Sequence, residues 1–161
     1  LIPQVKKAII IPLIAAGGIG SGKAMAAAFA LGAQGVQIGS RFVTTQESSA
    51  HINFKNAIIV AKEGDTQLSL KQLTPVRLLK NSFSEKVSEL EKEGASMEEL
   101  SNLLGRGRAK KGMFEGDLVE GELEIGQVSG AIDKIQTVKE VVDEIVEEYN
   151  SVLKKLEDSY L

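Results

Sequence analysis

The 161-residue sequence contains no cysteine, which excludes disulfides and thiolate metal sites. It has no apolar run near the ~20 residues that a membrane-spanning helix requires. Its start, LIPQVKKAIII, has neither the charged leader nor the cleavage site of a secretory signal. It carries no excess of positive charge: the net charge of −3 gives no reason to expect nucleic acid or an anionic membrane as partner. These absences lead to the expectation of a cytoplasmic protein with neither nucleic acid nor membrane as partner. The chain also lacks an initiator Met and enters a hydrophobic pattern at once. Leu1, Ile2, Val5, Ala8 and Ile9 recur at helical spacing, as in the latter part of an amphipathic helix. The expectation is the tail of a longer chain.

What is present is the composition of a globular domain, 43% hydrophobic and 25% charged. Pro12–Ala16 reads as a short buried strand ending in Gly17-Gly18. Ser21 is a helix N-cap before KAMAAAFAL, and Gly32 supplies the stop. In GVQIGSRF the chain reads as a second short strand that again ends in a glycine, Gly39. Strand, helix, strand within so short a span predicts a βαβ unit and hence a parallel α/β sheet. Farther on, a helix is expected over Ser48 to Lys62, a short strand at TQLSL (66–70), and a helix starting at Thr74-Pro75. Ser84 to Glu93 reads as an amphipathic helix, and capping boxes open further helices at Ser96 and Thr137. Residues 105–131 read as glycine-rich and irregular.

The stretch AAGGIGSGKA spells most of a nucleotide-binding P-loop, G-x-x-x-x-G-K, from Gly17 to Lys23. The motif needs a Ser or Thr hydroxyl for Mg²⁺ at its next position, and that position is Ala24. G-x-G-x-x-G fails as well, because Lys23 and Met25 stand where the third glycine belongs. Two consecutive strands ending in glycines point elsewhere. In (β/α)₈ barrels the loops after strands 7 and 8 commonly clasp a phosphate with backbone N–H groups and a helix N-terminus. Gly17-Gly18 and Gly39-Ser40 suit that arrangement. The basic stretch Arg106-Gly-Arg108-Ala-Lys110-Lys111 suggests a surface loop, or a contact with a pyridine-nucleotide diphosphate or an acidic carrier protein.

AAGGI, GAQGVQIGSRF, ESSAH-x-N-F-K, TPVRLLKN and EGD…G-x-x-x-x-GQ occur in this order along nearly the whole chain. In that order and spacing the sequence resembles the nitronate monooxygenase family, which includes the older 2-nitropropane dioxygenases and the FMN-dependent enoyl-acyl carrier protein reductases II. The resemblance implies the C-terminal portion of a TIM (β/α)₈ barrel holding FMN. Residues 1–64 would be the last two β/α units and 65–161 a C-terminal helical extension. It implies that Gly17 and Gly18, with Gln37, Ile38, Gly39 and Ser40, hold the flavin phosphate, and that Gln127, in a segment resembling the family's AGQ, lies close to the flavin. Ser40 stands where the family more often has Thr.

The family's catalytic His belongs upstream of AAGGI, so no catalytic residue and no metal are expected here. The lone His51 is expected to be a cap or supporting residue. The implied activity is that of a flavoprotein monooxygenase oxidising alkyl nitronates with O₂. The alternative is an enoyl-acyl carrier protein reductase II using NAD(P)H, and TPVR at Thr74 leans towards the former. Outside this class stand a non-redox phosphate-binding barrel, such as an isomerase or synthase, and an inactive fragment. A homo-oligomer, a dimer, is expected. Expressed by itself, this stretch is expected to bind FMN weakly or not at all, to be inactive, and to associate through its open strand edges.

Overall fold

The structure, a computed structural model, describes residues 1–159. Its contacts group the chain into two compact units: Leu1–Glu47 joined by the chain from Gln136 onward, and Ser48–Ile135. This grouping is by contact and is drawn differently from the division at residue 64 that the resemblance implies.

The first unit begins with helix α1 (Ile2–Ala8), then strand β1 (Ile14–Ala16), helix α2 (Gly22–Ala30), strand β2 (Gly35–Gln37) and a single helical turn, α3 (Ser40–Val43). Ser21 caps α2, its hydroxyl accepting from the Ala24 N–H at 3.2 Å. Gly32 (φ +106°) leads the chain out of the helix. β1 and β2 are parallel, with Ile14 opposite Gly35 and Ala16 opposite Gln37. The expected βαβ unit is therefore present. Its second strand stops at Gln37, two residues before the expected end at Gly39, and Ser40–Val43 is helical. The ladder runs out at Ala16, because Gly17 and Gly18 turn the partner away in left-handed conformations. β1 likewise covers less than Pro12–Ala16, since proline has no N–H to give a ladder.

Ala15, Ile19, Ala28 and Ala33 form the buried centre of this unit, with Ile2, Met25, Phe29 and Val36 packed on it. Helix α7 (Val138–Asp158) completes it. Thr137 and Glu140 form the expected capping box, and α7 buries Val141 and Ile145. α7 lies close enough to α2 for the Phe29 and Tyr149 rings to meet edge to face, 5.6 Å apart at 80°. The contact runs over Gly22, where any Cβ would collide with the backbone of Ile145 and Tyr149.

The second unit holds helix α4 (Ile52–Val60), a hairpin of β3 (Thr66–Ser69) and β4 (Val76–Leu79), helix α5 (Ser82–Glu93) and helix α6 (Met97–Leu104). α4 is shorter than the expected Ser48–Lys62, because residues before Ile52 are held in a turn. Ser48 Oγ accepts from the Ala50 N–H, and the Ser48 carbonyl accepts from the buried Lys55 Nζ at 2.8 Å. Thr74-Pro75 does not start a helix. Val76–Leu79 pairs antiparallel with β3, and the φ that proline fixes suits an extended lead-in as well as a helix. α5 begins at Ser82 under an Asn81–Ser84 capping box. The Ser96–Glu99 box opens α6 as expected. Leu70, Leu78, Phe83, Val87, Ala95 and Leu100 make the core. Residues 105–131 are mainly irregular but contain a wide π-helical turn, Lys110–Phe114, and a 3₁₀ turn, Gln127–Ala131. The two sheets have two strands each, and no barrel closes among the described residues.

Candidate functional site

The two parallel strands end side by side. Ala16 and Gln37 are their last paired residues, so Gly17-Gly18 and Ile38-Gly39-Ser40 leave from neighbouring points on the same C-terminal edge. Ligands in α/β sheets gather at that edge. Gly17 (φ +90°) and Gly18 (φ +71°) occupy the left-handed region that favours glycine. Apart from their chain neighbours, neither has an atom within 4 Å of where a Cβ would stand, and the same holds for Gly39. All three are exposed, as is Gln37. Ile38 packs its side chain on the first unit's core and offers only its backbone. Ser40 opens α3 and is half-buried. The donor types at this edge, backbone N–H groups and a hydroxyl, suit an oxyanion such as phosphate, and the open face of the glycines leaves room for one.

The start of α2 is less available than the P-loop-like spelling suggests. The Gly22 N–H donates to Glu148 Oε2 at 2.9 Å, and Lys23 Nζ lies 3.7 Å from Glu148 Oε1. Gly22 and Lys23 thus serve the contact with α7.

Arg41 is a residue the sequence reading passed over, although it follows Ser40 directly. It is only 6% exposed. Nη2 donates to Gln136 Oε1 and lies 3.5 Å from Glu144 Oε2, while Gln136 Nε2 donates to the same Glu144 oxygen at 2.9 Å. Nothing in the local pattern SRF distinguishes a buried arginine from a surface one.

Gln127 belongs to the second unit, where it opens the 3₁₀ turn and is exposed beside a hollow of about 430 Å³ lined also by Glu63, Gly64 and Thr66. His51 caps α4: its Nδ1 accepts from the Asn53 N–H at 3.1 Å. In the basic loop, Arg108 donates to the carbonyls of Leu103, Leu104 and Glu120 and lies 4.5 Å over the Phe83 ring. Lys110 pairs with Glu115 and Lys111 with Asp117. Three of its four cations therefore have partners inside the unit. Among the described residues no cluster of His, Asp and Glu could hold a metal ion, and no helix is long and apolar enough to cross a membrane.

The nitronate monooxygenase family model matches residues 1–148. A probable nitronate monooxygenase of Staphylococcus saprophyticus is 39% identical over 117 residues, covering 70% of this chain and 33% of that protein. The structure of FabK from Thermotoga maritima superposes with a TM-score of 0.91 at 39% identity, covering 100% of this chain and 51% of that one. A nitroalkane oxidase from Streptomyces ansochromogenes superposes with a TM-score of 0.77 at 28% identity, covering 97% and 44%. The chain thus spans between a third and about half of these three proteins. With the glycine loops, the βαβ unit and the C-terminal helix all falling inside the matched stretch, the chain belongs to the nitronate monooxygenase family.

Proposed function

We propose that this chain forms the C-terminal part of an FMN-dependent oxidoreductase of the nitronate monooxygenase type, oxidising alkyl nitronates with O₂. Residues 1–64 would contribute the last two β/α units of a TIM (β/α)₈ barrel, and 65–161 the extension. The observation that carries the proposal is the pair of open glycine loops on adjacent parallel strands, Gly17-Gly18 and Gly39-Ser40. In this proposal the backbone of Gly17, Gly18, Gln37, Ile38 and Gly39, with the Ser40 hydroxyl, holds the FMN phosphate, and Gln127 lies near the flavin. When bound, the flavin supplies the redox chemistry. This chain's residues supply anchorage: left-handed glycines let the main chain approach the phosphate, and the hydroxyl adds a donor. No residue of this chain is assigned a proton transfer, and the assembly is proposed to be a homodimer.

The test is spectroscopic. The full-length protein is expected to purify with flavin absorbance that an alkyl nitronate bleaches in the absence of oxygen. Bleaching by NAD(P)H, with recovery on adding an enoyl thioester, would assign the protein to the reductase II branch instead. A colourless protein that binds a sugar phosphate would place it among the non-redox barrels.

A further inference from the structure

Both glycine loops are tethered to one helix. The loop after β1 ends at Gly22, whose N–H donates to Glu148. The loop after β2 ends at α3, whose buried Arg41 is held by Gln136 and Glu144. Glu144 and Glu148 are four residues apart on α7, one turn and about 6 Å along the axis. At their other ends the loops are fixed to each other by the last rung of the sheet, Ala16 opposite Gln37. The start of α7 is tied to the same region: the Gln46 N–H donates to the Gln136 carbonyl at 2.8 Å, and the Val138 N–H donates to the Glu47 carboxylate at 2.9 Å.

We propose that Glu144 and Glu148 are positioning residues that set the spacing of the two halves of the anion site. The assignment rests on the proposed phosphate site. By simple electrostatics two carboxylates tied to the loops of such a site are unfavourable, and Glu148 takes a helix N-terminal N–H that an anion would otherwise attract. Their partners account for their presence. A buried arginine stripped of its carboxylate is costly, so Glu144 keeps α3 seated. Glu148 keeps the first residue of α2 in place where Gly22 allows the helices to approach. The two anchors lie on one rigid helix, so the separation between Gly18 and Gly39–Ser40 is set by α7 as well as by the sheet.

Positioning and electrostatics predict opposite signs. Apoprotein of the full-length enzyme is titrated with FMN and with riboflavin, which lacks the phosphate. Glu148→Ala and Glu144→Ala are expected to weaken FMN binding about 10-fold or more, the scale of one hydrogen bond to a charged group, with riboflavin changed less than about 2-fold. Glu148→Gln, whose amide oxygen can still accept from the Gly22 N–H, is expected to stay within about 3-fold of wild type on the same scale. Glu148→Asp keeps the charge and shortens the arm; it is expected to weaken FMN selectively, and it stands in if the alanine variants fail to fold. FMN binding that is unchanged or tighter in Glu144→Ala, Glu148→Ala or Glu148→Asp overturns the proposal, as does equal weakening of both ligands. A wild-type protein that does not prefer FMN to riboflavin overturns the phosphate site itself, and the positioning role with it.

Discussion

The imidazole of His51 covers the face of Gly116 on which a side chain would stand, so that a Cβ there would run into Nδ1, Cε1 and Cγ of the ring. Gly116 also has φ +81°. Around this pair the His51 N–H donates to the Met113 carbonyl at 2.8 Å, and Asn53 Nδ2 donates to the Gly116 carbonyl at 3.1 Å. Two motifs more than sixty residues apart in sequence, ESSAHIN and EGD, are thereby joined. Gly116→Ala is expected to destabilise the protein by more than the roughly 1–2 kcal/mol of a left-handed alanine, because the ring must move as well. Denaturant unfolding measures this; a change below about 0.5 kcal/mol, the level of an ordinary surface substitution, would show that the contact is loose.

His51 itself is a cap, and its removal should register in stability rather than in turnover. Losing a helix N-cap costs about 0.5–2 kcal/mol. Loss of a general base lowers rates by ~10²–10⁴-fold, and His51→Ala in the full-length enzyme is expected to lower kcat by less than about 10-fold on that scale. A larger fall in a protein that still melts cooperatively would make His51 part of the chemistry.

Where the chain's conformation is set by local signals, the sequence was a good guide. Ser21, Ser96 and Thr137 cap their helices as expected, and β1 and β2 pair in parallel around α2. Failures came where tertiary pairing decided. Thr74-Pro75 suits a helix start, but Val76–Leu79 finds a partner in Thr66–Ser69. The second strand stops at Gln37, short of the expected Gly39, because the partner strand has already turned off at Gly17. The candidate site was half legible: glycines at strand ends are visible in sequence, whereas Arg41, Gln136, Glu144 and Glu148 meet only through the fold.

Asp117 makes the second unit's stability depend on acid pH. Its Oδ1 accepts from the N–H groups of Glu120 and Val119 at 2.8 and 2.9 Å, and Oδ2 lies 2.9 Å from Lys111 Nζ. These contacts, the Glu120 N–H foremost, lower its pKa from 3.8 to about 2. Its stabilising contribution is present above the unfolded value and is lost as pH falls through the folded one. Asp117→Asn is therefore expected to lower Tm at neutral pH and to flatten the fall in Tm between about pH 4 and pH 2. An unchanged acid slope would place the titration elsewhere.

Glu122 works in the opposite direction. It is 7% exposed, and burial, aided by the Glu124 charge and opposed by Arg108, raises its pKa above the usual 4.5. A raised carboxylate favours the fold while protonated and loses that contribution as pH rises through the folded value. Glu122→Gln is expected to raise Tm at neutral pH, with the gain disappearing towards pH 4, about the unfolded value. A lower Tm at neutral pH would show that the ionised form is stabilised by its surroundings.

The GSGK spelling at Gly20–Lys23 offers a direct contrast between a nucleotide loop and a helix contact. In a P-loop the lysine carries phosphate binding, and its removal abolishes function while leaving the fold intact. Here Lys23 has a side chain 75% exposed and makes one long ion pair with Glu148 at 3.7 Å, a surface pair worth about 0–1 kcal/mol. Gly22 sits where α2 meets α7, with the backbone of Ile145 and Tyr149 in the space a Cβ would take. Backbone cannot move aside as a flexible side chain can, so forcing a methyl group into that contact is expected to cost about 1–3 kcal/mol or more. Lys23→Ala should therefore leave both Tm and flavin content near wild type, while Gly22→Ala should lower Tm and, by displacing α7 from α2, reduce retained flavin. Thermal melts paired with flavin release on denaturation read both quantities in the same samples. The reverse ranking, with a stable but flavin-free Lys23→Ala and an unaffected Gly22→Ala, would return the stretch to a phosphate loop of the nucleotide-binding kind.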